Sequence, residues 1–110
     1  MTKVRIVLDF FAGPIWNEYY DPETKKEVTG IDIIDNDEIL QALNLKIQDL
    51  YSSYYEFNTH DVACWFDYGR EKADKELMLD LLHQLNERLA QLNDGSFIVV
   101  DEETPRVMAL

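Results

Sequence analysis

The first thirty residues alternate apolar and polar positions with the period of a β-strand. Residues 3–11 predict a strand with one buried face, and residues 15–20 predict a second strand after the break at Gly13-Pro14. An Asp-Pro turn at 21–24 and a short return strand at 25–29 extend these into an antiparallel meander. The apolar positions that share one face of the first strand are Val4, Ile6 and Leu8.

Two longer segments instead repeat their apolar residues every three or four positions, which is typical of amphipathic helices. The first runs from about 36 to 55, and Asp35 with Glu38 three residues later resembles a capping box at its start. The second covers 70–93 and stops at Gly95, a residue suited to a left-handed cap. The positions predicted to be buried are Ile39, Leu43, Ile47, Leu50 and Tyr54 in the first helix, and Ala73, Leu77, Leu81, Leu85, Leu89 and Leu92, widened by Met78 and Leu82, in the second.

Two more apolar runs have strand length, at 62–66 and 97–100, and a charged tail forms a last helical turn after Pro105. Hydrophobic residues make up 46% of the 110, enough for the core of one domain spanning 1–110. The sequence therefore predicts an α+β fold: a small, mostly antiparallel sheet of about four or five strands with two long helices packed on one face.

The charge of the chain narrows the kinds of partner. It has 22 Asp and Glu against 10 Lys and Arg, a net charge of −12. Direct binding to nucleic acid or to an anionic membrane is disfavoured, because proteins bind these polyanions through Lys and Arg. A basic protein partner is favoured by long-range attraction. A second interpretation stays open, in which the acidic residues only keep the protein soluble.

The sequence contains no motif of a known catalytic site or cofactor site. His60, Asp61 and Cys64 are too few for a structural zinc site, which needs four nitrogen or sulfur ligands. The acidic segment 32–38 lacks the spacing of a calcium-binding loop, and helix capping explains it. Neither a glycine-rich phosphate loop nor a nucleophile elbow is present. We expect no enzyme activity, no metal and no cofactor, and we expect Cys64 to be an inert, buried thiol.

Aromatic residues and carboxylates occur side by side in three short stretches of the chain. Aromatic side chains usually belong to the core, and this interpretation stays open. Adjacent tyrosines, however, cannot both point inward from a strand or helix, and exposed Tyr and Trp are enriched at protein interfaces. Together with the acidic helix start, the candidate partner-binding residues are Trp16, Glu18, Tyr19, Tyr20, Asp21, Asp35, Asp37, Glu38, Tyr55, Glu56, Asp67 and Tyr68.

In size, acidity and aromatic–acid surface composition, the chain resembles bacterial immunity proteins of toxin–immunity pairs. The resemblance covers no specific motif and carries over no residues. It implies a non-catalytic protein that inhibits a basic partner, such as a toxin or another enzyme that acts on nucleic acid. The alternative is a small accessory domain that forms a homodimer through the 70–93 helix.

The single cysteine and the lack of a signal peptide or membrane-length apolar run predict a cytoplasmic protein.

Overall fold

The computed structural model of the protein describes residues 2–9, 13–17, 31–59 and 62–110. It is an α+β structure, as the sequence predicts. The elements in chain order are β1 (Thr2–Ile6), β2 (Ile15–Asn17), α1 (Asp32–Asp35), α2 (Glu38–Ser52), β3 (Tyr55–Thr59), β4 (Val62–Phe66), α3 (Tyr68–Ala73), α4 (Lys75–Leu92), β5 (Phe97–Asp101) and α5 (Glu103–Met108).

The strands form two separate sheets rather than the single, mostly antiparallel sheet that we predicted. One has the order β2-β1-β5, with β1 antiparallel to β2 and parallel to β5. The other is the β3–β4 hairpin. A parallel neighbour needs a long crossover connection, and the helices between β1 and β5 supply it. The predicted turn at 21–24 and strand at 25–29 lie outside the described residues.

The predicted inward face of the first strand is confirmed. Val4 and Ile6 have no exposed surface, and Leu8 is 7% exposed. They belong to the same core cluster as the buried side chains of α2 and α4, two helices that pack against each other and supply seven of the fifteen buried hydrophobic residues that this cluster has in the described part of the chain.

The first long helix is shorter than predicted, and it starts with a different cap. A separate turn, α1, precedes it, and the side chain that caps α2 belongs to Asp37 rather than Asp35. At the other end the chain leaves the helix after Ser52, and Tyr55, which we placed in the helix, begins β3.

The buried face of α2 includes Ile47, as the apolar repeat predicted, but it is rotated toward the positions that follow the other members of the repeat. Leu40 is fully buried, whereas Ile39 is 53% exposed. Two polar residues complete the buried face because each has a partner: Asn44 Oδ1 accepts from the backbone of Ile15 at 3.0 Å, and Gln48 Nε2 donates to the carbonyl of Gly13 at 3.1 Å. These bonds attach the start of β2 to the helix, and they satisfy the buried amides.

The predicted 70–93 helix is interrupted at one residue, Asp74, so α3 and α4 are separate helices. Asp74 has φ −90° and ψ 9°, away from helical values. The helical bonding pattern nevertheless passes through it, since Asp74 N donates to Arg70 O and Met78 N donates to Asp74 O. The carboxylate of Asp74 accepts a hydrogen bond from Tyr54, which holds this residue against the end of α2.

The apolar stripe of α4 is covered by the chain's own core. Leu77, assigned to the stripe, is instead 48% exposed, and Ala73 on α3 is half-buried. The α4 side chains that are buried are Met78, Leu81, Leu82, Leu85 and Leu89.

The C-terminal end of the chain contains more helix than the single turn that we predicted. Strand β5 matches the predicted strand with one added residue, and Gly95 before it has the expected left-handed φ of 93°. Helix α5 already begins at Glu103, so that Pro105 lies in its first turn, where a missing N–H costs nothing.

Candidate functional site

Five aromatic side chains, which we call the aromatic cluster, pack where the end of α2 meets the β3–β4 hairpin. Phe66 is at the centre, with its ring centroid 4.7 Å from that of Tyr68 and 4.9 Å from that of Tyr55. Tyr51 and Tyr54 complete the cluster at 5.6 and 6.0 Å from Phe66. Most pairs meet edge to face, the arrangement that the ring quadrupoles favour. The cluster is thus a packed apolar unit rather than a set of separate rings.

Backbone bonds of the local sequence assemble this cluster. The last turn of α2 closes with Tyr54 N donating to Tyr51 O at 3.1 Å. The chain then enters β3, and Tyr55 pairs with Phe66 of β4. The backbone N–H of Asp67 donates to the carbonyl of Tyr54 at 2.7 Å, so the chain leaving β4 returns to the end of α2.

The inner side of the cluster is fixed around Tyr54, which has no exposed surface. Its hydroxyl donates to Asp74 Oδ2 at 3.1 Å, and the guanidinium of Arg70 lies 5.6 Å from its ring centroid. Burial raises the pKa of Tyr54, and the bond to Asp74 raises it further. Burial and a hydrogen bond with Tyr55 likewise raise the pKa of Tyr51. Both hydroxyls therefore keep their protons at neutral pH.

The outer side of the cluster contains two of the predicted partner-binding residues. Tyr55 is half-buried and Tyr68 is 71% exposed. Both rings contact Phe66, so the structure brings together two tyrosines that are thirteen positions apart in the sequence. Tyr68 thus offers an exposed ring on an apolar support.

The two acidic candidates of this region are placed differently. Asp67 is the N-cap of α3, and its Oδ1 accepts from Arg70 N at 3.0 Å. Glu56 lies opposite Trp65 across the hairpin, on the other face from Tyr55, because side chains alternate along a strand. Glu56 therefore lies on the opposite face of the hairpin from Tyr55 and Phe66.

The other acidic candidates lie at the opposite end of α2. Glu38 is exposed, Asp35 is half-buried, and the side chain of Asp37 is only 12% exposed. Asp37 Oδ1 and Oδ2 accept from Arg88 at 2.6 and 3.0 Å, and Oδ2 also accepts from Leu40 N at 2.9 Å. The hydrogen bond from Arg88 holds the pKa of Asp37 below its usual value. Asp37 is thus engaged within the fold.

The acidic helix start and the aromatic cluster are not parts of one compact patch. The 15 residues of α2 separate them by about 22 Å, at roughly 1.5 Å per residue. A partner that contacts both must cover most of the length of this helix.

Beside Asp37 there is a shallow groove between α2 and α4, with a volume of about 210 Å³. We call it the α2–α4 groove. The sequence did not indicate this groove, because Ile39 was assigned to the buried face of the helix. An apolar repeat counted from Leu40 instead of Ile39 would have placed Ile39 on the surface. Its lining residues are Ile39, Leu43, Gln84, Glu87, Arg88 and Gln91.

Trp16 is the one N-terminal candidate among the described residues. It is half-buried, and its Nε1 donates to the carbonyl of Val7 at 2.7 Å. The ring packs over Gly13, where φ is 70° and where a Cβ would collide with both Val7 O and the indole. Trp16 therefore closes the turn between β1 and β2. The remaining candidates, Glu18, Tyr19, Tyr20 and Asp21, lie outside the described residues.

Cys64 is exposed, so the expectation of a buried thiol is wrong. It lies opposite Phe57 in the hairpin, and Phe57 is itself 52% exposed. The reason is that β3 and β4 form a sheet of their own: Phe66 at the end of β4 packs against the core, whereas Cys64 and Phe57 lie farther along the hairpin and are exposed.

Among the residues that the structure describes, no three His, Cys, Asp or Glu side chains are grouped to hold a metal ion. No helix in this part of the chain combines the length and apolar character needed to cross a bilayer.

Comparisons of the chain with protein-family models, with curated proteins and with solved structures each found no match.

Proposed function

We propose that this chain is a non-catalytic, acidic binding protein that neutralises a basic protein partner, in the manner of an immunity protein that blocks a bacterial toxin. One observation carries the proposal: all four arginines of the sequence are bonded to groups of the chain itself. Arginine is the residue best suited to bind phosphates and carboxylates of a partner, and here each arginine uses at least one of its donors within the chain. The four bonds are Arg5 to Glu102, Arg70 to the carbonyl of Ser53, Arg88 to Asp37, and Arg106 to Glu71 and Glu103.

The carboxylates, by contrast, are in large excess over the cations. Many remain at the surface, and they outnumber the cations by 22 to 10 in the sequence. The surface potential is therefore negative, which accelerates the approach of a basic protein and slows that of an acidic one. Exposed acids of the helices and their ends include Glu38, Asp49, Glu76, Asp80, Glu87 and Asp94.

The aromatic cluster supplies the short-range part of the interaction. Tyr68 is exposed on a support formed by Phe66 and Tyr55, so its ring loses little conformational freedom when a partner covers it. Tyr is one of the residues that most often carries binding energy at interfaces. In this mechanism the acids steer the encounter, and burial of Tyr68 slows dissociation.

A bait experiment tests this function. The immobilised protein is mixed with an extract of the source organism, and bound proteins are eluted with a rising salt gradient. We expect a basic protein that elutes with salt and whose own activity is inhibited while it is bound, since screening weakens steering between opposite charges.

The test variant is Tyr68→Ser, which should release the same partner at lower salt. The matched control is Leu77→Ser, which changes an exposed apolar residue on α4 and should release the partner at the same salt as the unchanged protein. Recovery of the bait alone, as a salt-resistant dimer, would contradict the proposal.

A further inference from the structure

The α2–α4 groove combines an apolar floor with a polar rim. Ile39 is 53% exposed and Leu43 is partly buried, so aliphatic surface is open to an occupant on the α2 side. The α4 side presents Glu87, whose side chain is 62% exposed, and two glutamines. A ligand for this groove needs both an apolar part and a polar end.

The size of the groove decides which class of ligand fits. Its volume is about 210 Å³, whereas pockets for small organic ligands usually have about 300–1,000 Å³. The groove is also open along the helix pair rather than closed over. It is therefore suited to one long side chain of a protein partner and not to a free metabolite.

The charges around the groove determine which charge that side chain should have. Arg88 is the one cation in the lining, and its guanidinium is neutralised by the two oxygens of Asp37 at 2.6 and 3.0 Å. A third donor of Arg88 is bonded to Gln91 at 3.1 Å. Glu87 has no arginine or lysine partner in the described chain; its neighbour is the exposed His83, at 3.1 Å. The groove is thus negative overall.

We propose that the α2–α4 groove binds a single arginine or lysine side chain of the basic partner. The methylene stem lies on Ile39 and Leu43, as long cationic side chains commonly cover apolar surface, and the charged head reaches Glu87. This inference rests on the proposed function and adds to it a defined subsite, at the opposite end of α2 from the aromatic cluster.

The subsite is tested with blocked pentapeptides that differ in one central residue. The three probes contain arginine, citrulline (the same stem without the charge) and a guanidinium on a stem shortened by two methylenes. Each is titrated into protein with labelled Ile and Leu methyl groups and followed by NMR. We expect saturable shifts of the Ile39 and Leu43 methyls with the arginine peptide, and clearly weaker binding of the other two.

Three variants separate the subsite from general attraction to an acidic protein. Glu87→Gln should weaken the arginine peptide about threefold to fivefold, the range of exposed ion pairs. Glu76→Gln makes the same charge change on the exposed surface of the same helix, about 16 Å away, and should leave the affinity nearly unchanged. Ile39→Ser should weaken the arginine peptide through loss of the stem contact. All three positions are exposed, so the fold is retained.

Equal shifts with citrulline, or equal losses in the Glu87 and Glu76 variants, would overturn the subsite. A failure of the proposed function is detected separately, by the bait experiment. If a basic partner is captured and inhibited but Glu87→Gln and Glu76→Gln bind it equally well, the subsite is wrong while the function stands. If no basic partner is captured, the function itself is wrong.

Discussion

Asp37 stabilises the fold through one carboxylate with two structural partners. It caps α2 by accepting from Leu40 N at 2.9 Å, and it joins α2 to α4 through Arg88. The capping bond needs only an oxygen, which asparagine also has, whereas the ion pair needs the charge. Substitutions at this one position can therefore separate the two contributions.

We predict that Asp37→Asn lowers the free energy of unfolding through the loss of the ion pair, and that Asp37→Ala lowers it by about 1 kcal/mol more through the loss of the cap. Urea denaturation near neutral pH measures both. Asp49→Asn, an exposed acid on the same helix, is the control and should change stability little. Equal stability of the Asn and Ala variants would contradict the role of Asp37 as a cap.

The pH dependence of the Asp37 pair has a defined sign. Because Arg88 lowers the pKa of Asp37 in the folded protein, the unfolded chain takes up this proton first as the pH falls. The contribution is complete above the unfolded pKa, about 4, and is lost as the pH falls through the lower, folded value. The difference in stability between the protein and Asp37→Asn should thus be constant near neutral pH and vanish in acid. A difference that grows in acid would exclude this cause.

Among the elements, α5 is held to the rest of the fold by one arginine between two buried carboxylates. Arg106 donates to Glu71 of α3 at 3.0 Å and to Glu103 at 2.6 Å. Glu103 Oε1 also accepts from the backbone N–H of Leu8, just after β1, at 2.9 Å. The side chains of Glu71 and Glu103 are only 4% and 7% exposed, so neither is well solvated without Arg106.

We predict that Arg106→Gln lowers the free energy of unfolding by about 2–3 kcal/mol, because it leaves buried carboxylates without a cation. The partial exposure of Arg106 places the effect at the lower end of the range for buried pairs. The matched control is Arg5→Gln: its pair with Glu102 is about half exposed on both sides, and it should cost only about 0–1 kcal/mol. Urea denaturation of both variants measures the two losses in the free energy of unfolding. Similar losses for Arg106→Gln and Arg5→Gln would show that burial of the carboxylates is unimportant.

The sequence predicted elements well where one local pattern determined them. The alternation of Val4, Ile6 and Leu8 and the repeat of Leu81, Leu85 and Leu89 each reflect a single buried face, and the structure has both. The end of α2 was missed because Tyr54 continues the helical repeat, whereas the next residue, Tyr55, pairs with Phe66 in the hairpin. The interruption at Asp74 was also missed, and the hydrogen bond that this residue accepts comes from Tyr54, twenty positions away, which no local pattern contains.

The candidate site was predictable only in part. The adjacent pair Tyr54-Tyr55 indicated that at least one of its rings is partly exposed, and Tyr54 is buried whereas Tyr55 is half-buried. The contact of Tyr55 and Tyr68 with Phe66 depends on how the hairpin pairs, which the sequence pattern did not indicate. That Asp37 is bonded to Arg88 depends on a contact across 51 positions, which no local pattern contains. The α2–α4 groove depends on the same contact, together with the rotation of the buried face of α2.

At the scale of the whole molecule, the charges divide into close pairs and a large net excess of acid. The close pairs, such as Arg88 with Asp37, have nitrogen–oxygen distances near 3 Å. The excess follows from a net charge of −12, and many of the acids among the described residues are exposed. These two groups respond differently to salt, because screening acts mainly on charges farther apart than the Debye length, about 10 Å at 0.1 M.

We therefore predict that sodium chloride stabilises this protein. Between about 10 and 150 mM, repulsion among distant surface acids is screened, while the contact pairs, which are partly buried, lose little. The melting temperature measured by calorimetry should rise over this interval. Combining Asp49→Asn, Glu76→Gln and Asp80→Asn removes three surface charges, and this variant should show a higher melting temperature at low salt and a weaker dependence on salt. A melting temperature that falls with salt would mean that the ion pairs, and not the excess acid, dominate the electrostatic free energy of folding.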